Sequence, residues 1–347
     1  MIQNKEVNYS DYLQLEKLLG AQMPESDAFK IDAHDEMLFI IIHQAYELWF
    51  KQVGYELDSV IDDLNAPMVN DNTPAIQTAV HRMNRIAVIL RVLVHQIDIL
   101  ETMTPLDFLD FRDLLRPASG FQSWQFKIIE ARLGLPFLHR HGKEYYTSQL
   151  RPHQVQMIKD AEAKPTLIQL INSWLERFPY FENEQLWKNF EAKSVKEDGR
   201  HVFWSEYKST YASTLLEVEK GNLQSFETLF FDGEEDNAFS PKANRAALFI
   251  MLYRGYPLLQ QPYQLLNLLL EIDEQLSTWR FRHVNMVHRM IGSRVGTGGS
   301  TGKDYLQGAL QKHYIFKDVS KLTSFLTPRR NIPQLSLELQ SALGFSI

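Results

Sequence analysis

Glu36-Met-Leu-Phe-Ile-Ile-Ile-His-Gln-Ala-Tyr-Glu-Leu-Trp-Phe50 is the stretch that decides the fold. Phe39, His43, Tyr46 and Phe50 recur at i, i+4, i+7 and i+11, which puts them on one face of a helix. Ile40, Ile41, Ile42 and Leu48 cover the rest. The spacing predicts a helix over 36–64, apolar nearly all round and therefore buried in the middle of the protein. Outward from it, Ala75 to Met103 reads as a second long helix with Val80, Ile86, Leu90, Leu93 and Ile97 inside. Thr104-Pro105-Leu106-Asp107 reads as an N-cap, a proline at N1 and an acid at N3, opening a third. Pro117-Ala118-Ser119-Gly120 ends it, and residues 121–133 start another. Ser240-Pro241 is a further helix start, and Tyr263 to Met290 is a long helix with Leu265, Leu269, Ile272, Leu276 and Trp279 inward. No alternating strand and no internal repeat is visible. The expected fold is all-α, a single helical domain over 31–347. Residues 1–30 form a polar N-terminal segment in which Tyr9, Tyr12 and Leu13 make a short amphipathic helix. Glu182 to Arg200 is dense in mixed charge and ends in Asp198-Gly199, which predicts a solvated helical excursion. A charged helical insertion is placed around 182–240.

Composition supports the same class. Sixteen glycines and fourteen prolines in 347 residues fall below the usual roughly 7% and 5%, so tight corners are few. A net charge of −7 gives no bulk basic surface for phosphate backbones, which sets nucleic acid aside as a partner. With no cysteine there is no disulfide, thiolate metal site or cysteine nucleophile. The first residues lack a basic stretch followed by an apolar run. Apolar runs such as Met37–Ile42 are far shorter than a membrane span. The expectation is a cytoplasmic protein with no membrane partner.

Chemistry in a chain without cysteine falls to histidine. No His-Glu-x-x-His and no Glu-x-x-His occurs, which excludes the common zinc protease and di-iron patterns. His283 and His288 are five apart, about 140° around a helix, so they cannot share one metal. One lone imidazole on each of two buried helices suits a haem: an axial ligand and a distal-pocket group. Around His283, Trp279 at i−4 and Met286, Val287 and Met290 at i+3, i+4 and i+7 make an apolar face for a flat macrocycle. Arg280, Arg282 and Arg289 lie nearby to pair with propionates. His43 sits between Phe39 and Phe50. A core histidine bonded to a backbone carbonyl fits either position as well. Arg112, flanked by aromatics, is placed to clamp a carboxylate in a bidentate fork, or to pair internally with Asp110 or Asp113. Gly296–Gly302 fails as a Walker loop and as a dinucleotide fingerprint. It suits capture of a small anion or zwitterion through Thr297, Ser300 and Thr301, or simply ends a helix.

Five segments carry a closer likeness: His43-Gln-Ala-Tyr-Glu-Leu-Trp-Phe-Lys51, Leu100-Glu-Thr-Met-Thr-Pro-Leu-Asp-Phe-Leu-Asp-Phe-Arg112, Pro117-Ala-Ser-Gly-Phe-Gln-Ser123, Trp279-Arg-Phe-Arg-His283 and Gly296-Thr-Gly-Gly-Ser300. In this order the chain resembles the tryptophan 2,3-dioxygenase family over roughly residues 8–312. The resemblance implies an all-α, haem-dependent enzyme that cleaves the indole C2–C3 bond of L-tryptophan with O2 to give N-formylkynurenine. It implies one haem b per subunit with His283 as iron ligand, and His43 as the distal histidine facing the indole N–H. Arg112 and Thr297 match the residues that hold the carboxylate and ammonium ends. Phe39 and Phe108 match the indole pocket; some members have Tyr at the second position, so any hydroxyl contact is absent here. Ser119 and Gly120 match the haem-edge segment, and Trp279 belongs to the haem-binding motif. Tyr9 and Tyr12 match an N-terminal helix that reaches into a neighbouring subunit's site. A homotetramer, a dimer of dimers, is implied with them.

Overall fold

A computed structural model of the chain describes residues 6–66, 74–135, 148–195, 197, 199–292, 294 and 314–344. Thr297 and the rest of the Gly296–Gly302 loop lie outside the described residues. Among those described there is no strand, so the fold is all-α.

Three long helices set the frame. Helix α4 (Glu36–Leu64) follows the predicted span to its ends, and α5 (Pro74–Leu100) is the second. Glu56 pairs with Arg85, Asp63 with Arg82, and the Tyr46 hydroxyl donates to Leu93 O. Numbers that fall along α4 as they rise along α5 make the pair antiparallel. Helix α13 (Pro257–Ile291) also lies on α5, with Arg91 paired to Glu271 and Asp98 to Arg282. These rise together, so α13 is parallel to α5 and antiparallel to α4. The start of α4 and the end of α13 therefore meet at one end of the bundle. The end of α5 is there too, and α6 (Pro105–Arg112) follows it. A capping box opens α6: Thr104 N donates to the Asp107 carboxylate at 2.8 Å, and Asp107 N to the Thr104 hydroxyl at 3.3 Å. Both bonds satisfy donors that a helix start leaves free. Helix α7 (Trp124–Leu133) runs beside α4, tied by Gln125 to Glu47 and by Arg132 to Asp58.

All-round burial of α4 does not hold. Ile42, Tyr46, Phe50, Val53 and Leu57 are buried, but Ile41, Leu48 and Tyr55 are 48%, 53% and 73% exposed. Helices α5 and α7 cover only one side of it. Val92 and Ile99 on α5 and Phe281 on α13 are also open to water.

The segment 182–240 differs from the expected solvated helical excursion. The described residues of 182–200 are largely exposed, and their regular structure is one short 3₁₀ turn, Glu184–Trp187. After α8 (Pro152–Glu162) and α9 (Leu167–Glu176), the chain turns inward from α10 (Val202–Thr214) through α11 (Asn222–Glu227). Phe203, Trp204, Tyr207, Phe226 and Phe230 are among the most deeply buried side chains. Aromatic residues are large enough that burying a handful builds a core. Phe203 packs on Phe249 of α12 (Pro241–Leu252) with ring centroids 5.4 Å apart.

Three short N-terminal helices, α1 (Tyr9–Leu13), α2 (Leu15–Leu19) and α3 (Glu25–Phe29), precede the bundle. Their root is fastened to α4. The carboxylate of Glu36, 1% exposed, accepts from Glu25 N and Ser26 N, both at 2.9 Å. Gln44 accepts from Gln22 and donates to Ala21 O. No described helix is long and apolar enough to cross a membrane.

Candidate active site

At the end where α4 begins and α13 finishes, the structure brings together Phe39, His43, Phe108, Arg112, Trp279 and His283. Phe39 and His43 are one turn apart on α4, with ring centroids 4.1 Å from each other. Phe39 also meets Phe108 of α6 at 5.7 Å. Arg112 follows Phe108 by one turn and is only 4% exposed.

His43 Nδ1 lies 2.7 Å from Phe39 O. A carbonyl oxygen only accepts, so Nδ1 carries the proton and Nε2 of the neutral ring keeps its lone pair. Burial holds the proton affinity of His43 below the ordinary imidazole range, partly offset by the Phe39 carbonyl and by Glu47. The imidazole is thus a neutral acceptor at Nε2.

His283 is pushed down to about 4, first by burial and then by the charge of His43. The two rings belong to helices of opposite direction, α4 and α13, that come together at this end of the bundle. No described residue hydrogen-bonds the His283 ring nitrogens. Trp279 stacks on it, centroids 5.3 Å apart and planes within 1°. Met286 and Met290 are buried beside it, whereas His288 is exposed.

These residues fit a haem. A neutral imidazole with an unused lone pair is what an iron centre takes as an axial ligand. Among the described residues no three His, Asp or Glu side chains converge on a metal position. An iron held here needs its other ligands from a macrocycle, and an apolar wall stands beside His283 for one. Ser119 and Gly120 open a 3₁₀ turn, Gly120–Gln122, just before α7. A Cβ built on Gly120 meets nothing within 4 Å, so a flat group can approach that backbone.

One expectation changes. Arg280 and Arg282 are not free for propionates: Arg280 is paired with Glu130 at 2.7 Å, and Arg282 with Asp98 at 2.6 Å and Glu101 at 3.1 Å. Tyr9 and Tyr12 stand 72% and 75% exposed on this chain. Sequence reasoning also missed Glu47 and Gln125, joined at 2.8 Å, which fasten the start of α7 to α4 one turn beyond His43. The signal was there in part, since Glu47 is one turn after His43. A separate cleft of about 870 Å³, lined by Tyr253, Arg254, Tyr263 and Arg329 among others, opens near the start of α13. It shares no residue with this site and lies some 20 residues, roughly 30 Å, along the helix from His283.

Comparison with known proteins agrees with the geometry. The profile of the tryptophan 2,3-dioxygenase family matches residues 2–326. The tryptophan 2,3-dioxygenase of Bdellovibrio bacteriovorus is 42% identical, over 98% of each chain. That of Alteromonas mediterranea is 41% identical over 97% of each. The Xenopus laevis enzyme is 39% identical, over 96% of this chain and 86% of its own. With the imidazoles of His43 and His283 brought to one end of the bundle by α4 and α13, and with matches that run nearly end to end, the chain belongs to the tryptophan 2,3-dioxygenase family.

Proposed function

We propose that this chain binds haem b through His283 and uses His43, Arg112, Phe39 and Phe108 to present L-tryptophan to it. The reaction comes with the family, which is haem-dependent: an oxidoreductase, the enzyme oxidises tryptophan with O2 to N-formylkynurenine. Both oxygen atoms enter one product, so no outside reductant is consumed. The observation that supports the residue assignment is the pair of imidazoles at one end of the bundle, His43 held at Nδ1 by Phe39 O and His283 with neither ring nitrogen bonded by a described residue.

When bound, haem supplies the oxygen chemistry; the protein supplies binding, orientation and exclusion of water. Phe39 and Phe108 flank the indole, and His43 Nε2 accepts from the indole N–H. Arg112 binds the carboxylate as a charge-assisted fork. Thr297, outside the described residues, is assigned to the ammonium end from its place in the motif. Ser119 and Gly120 line the haem edge, and Trp279 backs the His283 ring. With both ends of the substrate fixed, the C2–C3 bond is held in place, and the entropy of encounter is already met by binding. His43 is a poor base in its buried position, which favours orienting the ring over removing its proton.

Residues 31–347 are read as the catalytic domain and 1–30 as an arm whose Tyr9 and Tyr12 reach a neighbouring subunit's site. A homotetramer, a dimer of dimers, is proposed with it from the family resemblance. The apolar residues left open on α4, α5 and α13 support it. The enzyme is assigned to the cytoplasm. A direct test compares His283→Ala with His288→Ala. The first loses most of its haem, and with it N-formylkynurenine formation from L-tryptophan and O2; the second keeps both. The reverse pattern in a haemochrome assay overturns the ligand assignment.

A further inference from the structure

One buried pair of charges has no part in the reading above. Glu130 on α7 and Arg280 on α13 are 5% and 7% exposed, with the guanidinium 2.7 Å from Glu130 Oε1. Arg280 precedes His283 by less than one helical turn. Phe126, one turn before Glu130 and so on the same face of α7, lies with its ring centroid 5.1 Å from that of Trp279. The guanidinium carbon of Arg280 stands 6.0 Å over the same phenyl ring. Trp279 in turn lies parallel to the His283 imidazole at 5.3 Å. Helix α7 thus grips two consecutive residues of α13, and one of them stacks on the ring at issue.

We propose that Glu130 is a positioning residue for the iron ligand: by holding Arg280 it fixes the rotation and height of α13 against α7, and so the plane in which His283 presents its lone pair. The inference rests on His283 being that ligand. A buried ion pair is a weak source of stability, because desolvation cancels much of the attraction. It is a strong source of register. Apolar side chains slide past one another at small cost, whereas a charge-assisted hydrogen bond is directional and made at one position only. One residue of rotation turns a helix by about 100°, which is enough to aim His283 elsewhere. Partners behind a ligand orient it, and their removal typically costs about tenfold to hundredfold in affinity for the metal group.

The test uses the haem-loaded full chain in two variants: Glu130→Gln, and Glu130→Met combined with Arg280→Met. The double variant removes both charges, and apolar replacement of a buried pair is often neutral or stabilising. Three quantities are read: the rate of haem transfer to excess apomyoglobin, the ferrous iron–imidazole stretching band in resonance Raman spectra, and the thermal midpoint. The expected result is haem loss about tenfold to hundredfold faster and a displaced band in both variants, with the midpoint of the double variant near wild type. Should Glu130→Gln fail to fold, the double variant decides alone. Wild-type haem retention with the band unmoved overturns the proposal and leaves the pair a packing role. Failure of the double variant to fold also overturns it, because the pair then serves the fold. His283→Ala, measured in parallel, separates the two levels. If it keeps the wild-type band, the ligand reading fails; if it loses the band while the Glu130 variants keep theirs, only this inference fails.

Discussion

Arg112 carries its charge where water barely reaches, at 4% exposure, one turn beyond Phe108. A guanidinium in such a place interacts strongly with any anion that joins it. Arg112→Leu is expected to weaken L-tryptophan by about 2–5 kcal/mol, the range for stripping one partner from a buried charge pair. Tryptamine, which lacks the carboxylate, should lose far less. Equal losses in a binding titration would assign Arg112 to the fold. For His43 the expectation is milder. A single orienting hydrogen bond contributes about 0.5–1.5 kcal/mol, so His43→Ala should slow turnover roughly twofold to tenfold. An obligatory base would cost about 10²–10⁴-fold. 1-Methyltryptophan sharpens the choice, since it has no N–H to donate and its methyl group no longer meets an imidazole in the variant. A haem-replete, tryptophan-binding His43→Ala protein inert toward both substrates would make the imidazole a proton carrier. At this scale the sequence was legible where a residue type is rare in its setting: a histidine on an apolar helix, an arginine among phenylalanines. Partner choice was not legible. Arg280 and Arg282 look alike in Trp279-Arg-Phe-Arg-His283, yet their carboxylates come from Glu130, Asp98 and Glu101, far away in the chain.

Asp273 shows what one carboxylate does for an element. It is buried on α13 and accepts from Ile315 N at 3.1 Å and Phe316 N at 2.6 Å, fastening the chain just ahead of α14 (Lys317–Leu322). Burial pushes its carboxyl up to about 6, against the pull of those two N–H groups and of Arg280. Since the folded state holds this proton more tightly than the unfolded chain, the group's contribution is full below about 4 and is lost as pH rises through about 6. The size is at most about 3 kcal/mol. Asp273→Asn removes the titration, so its stability relative to wild type should improve as pH rises from about 4 to about 7. Denaturant midpoints that track wild type in parallel across that window would show that Asp273 does not titrate there. Element boundaries were legible wherever the signal is local. The Thr104–Asp107 box and the Ser240-Pro241 start hold, as does α4 from Glu36 to Leu64. Faces were not legible in the same way. Charge over 182–200 said nothing of Phe203, Trp204 and Tyr207 just beyond, and the run of isoleucines in α4 did not reveal that Ile41 would be left outside. Which side of a helix is covered depends on neighbours distant in sequence.

At the scale of the molecule, large apolar side chains stand exposed on the N-terminal helices and on α4, α5 and α13. Tyr9 and Tyr12 project from α1, while Glu36 and Gln44 hold the root of that arm beside His43. Large apolar side chains exposed together mark an interaction face. Deleting residues 1–20 should therefore reduce tryptophan turnover more than haem content. Sedimentation of the deletion variant alongside the full chain checks the assembly, and a fully active monomer would sink the oligomeric reading. Glu36 lies beyond the deletion, so the start of α4 keeps its buried carboxylate, and any lost activity traces to the missing arm.

The placing of the two imidazoles also sets an order in time. His43 and His283 are 240 positions apart, and neither neighbourhood forms the site by itself. At about 5–20 residues per second of synthesis, roughly 12–48 s pass between the appearance of one and the other. Through that interval α4 and α5 can pair as a helical hairpin, with Phe39, His43, Phe108 and Arg112 already made and nothing opposite them. On the proposed assignment, a chain that stops between α6 and α13 carries most of the substrate pocket and lacks the iron ligand. On that assignment haem joins only after α13 has been made, and the last long helix among the described residues is the one that completes the site.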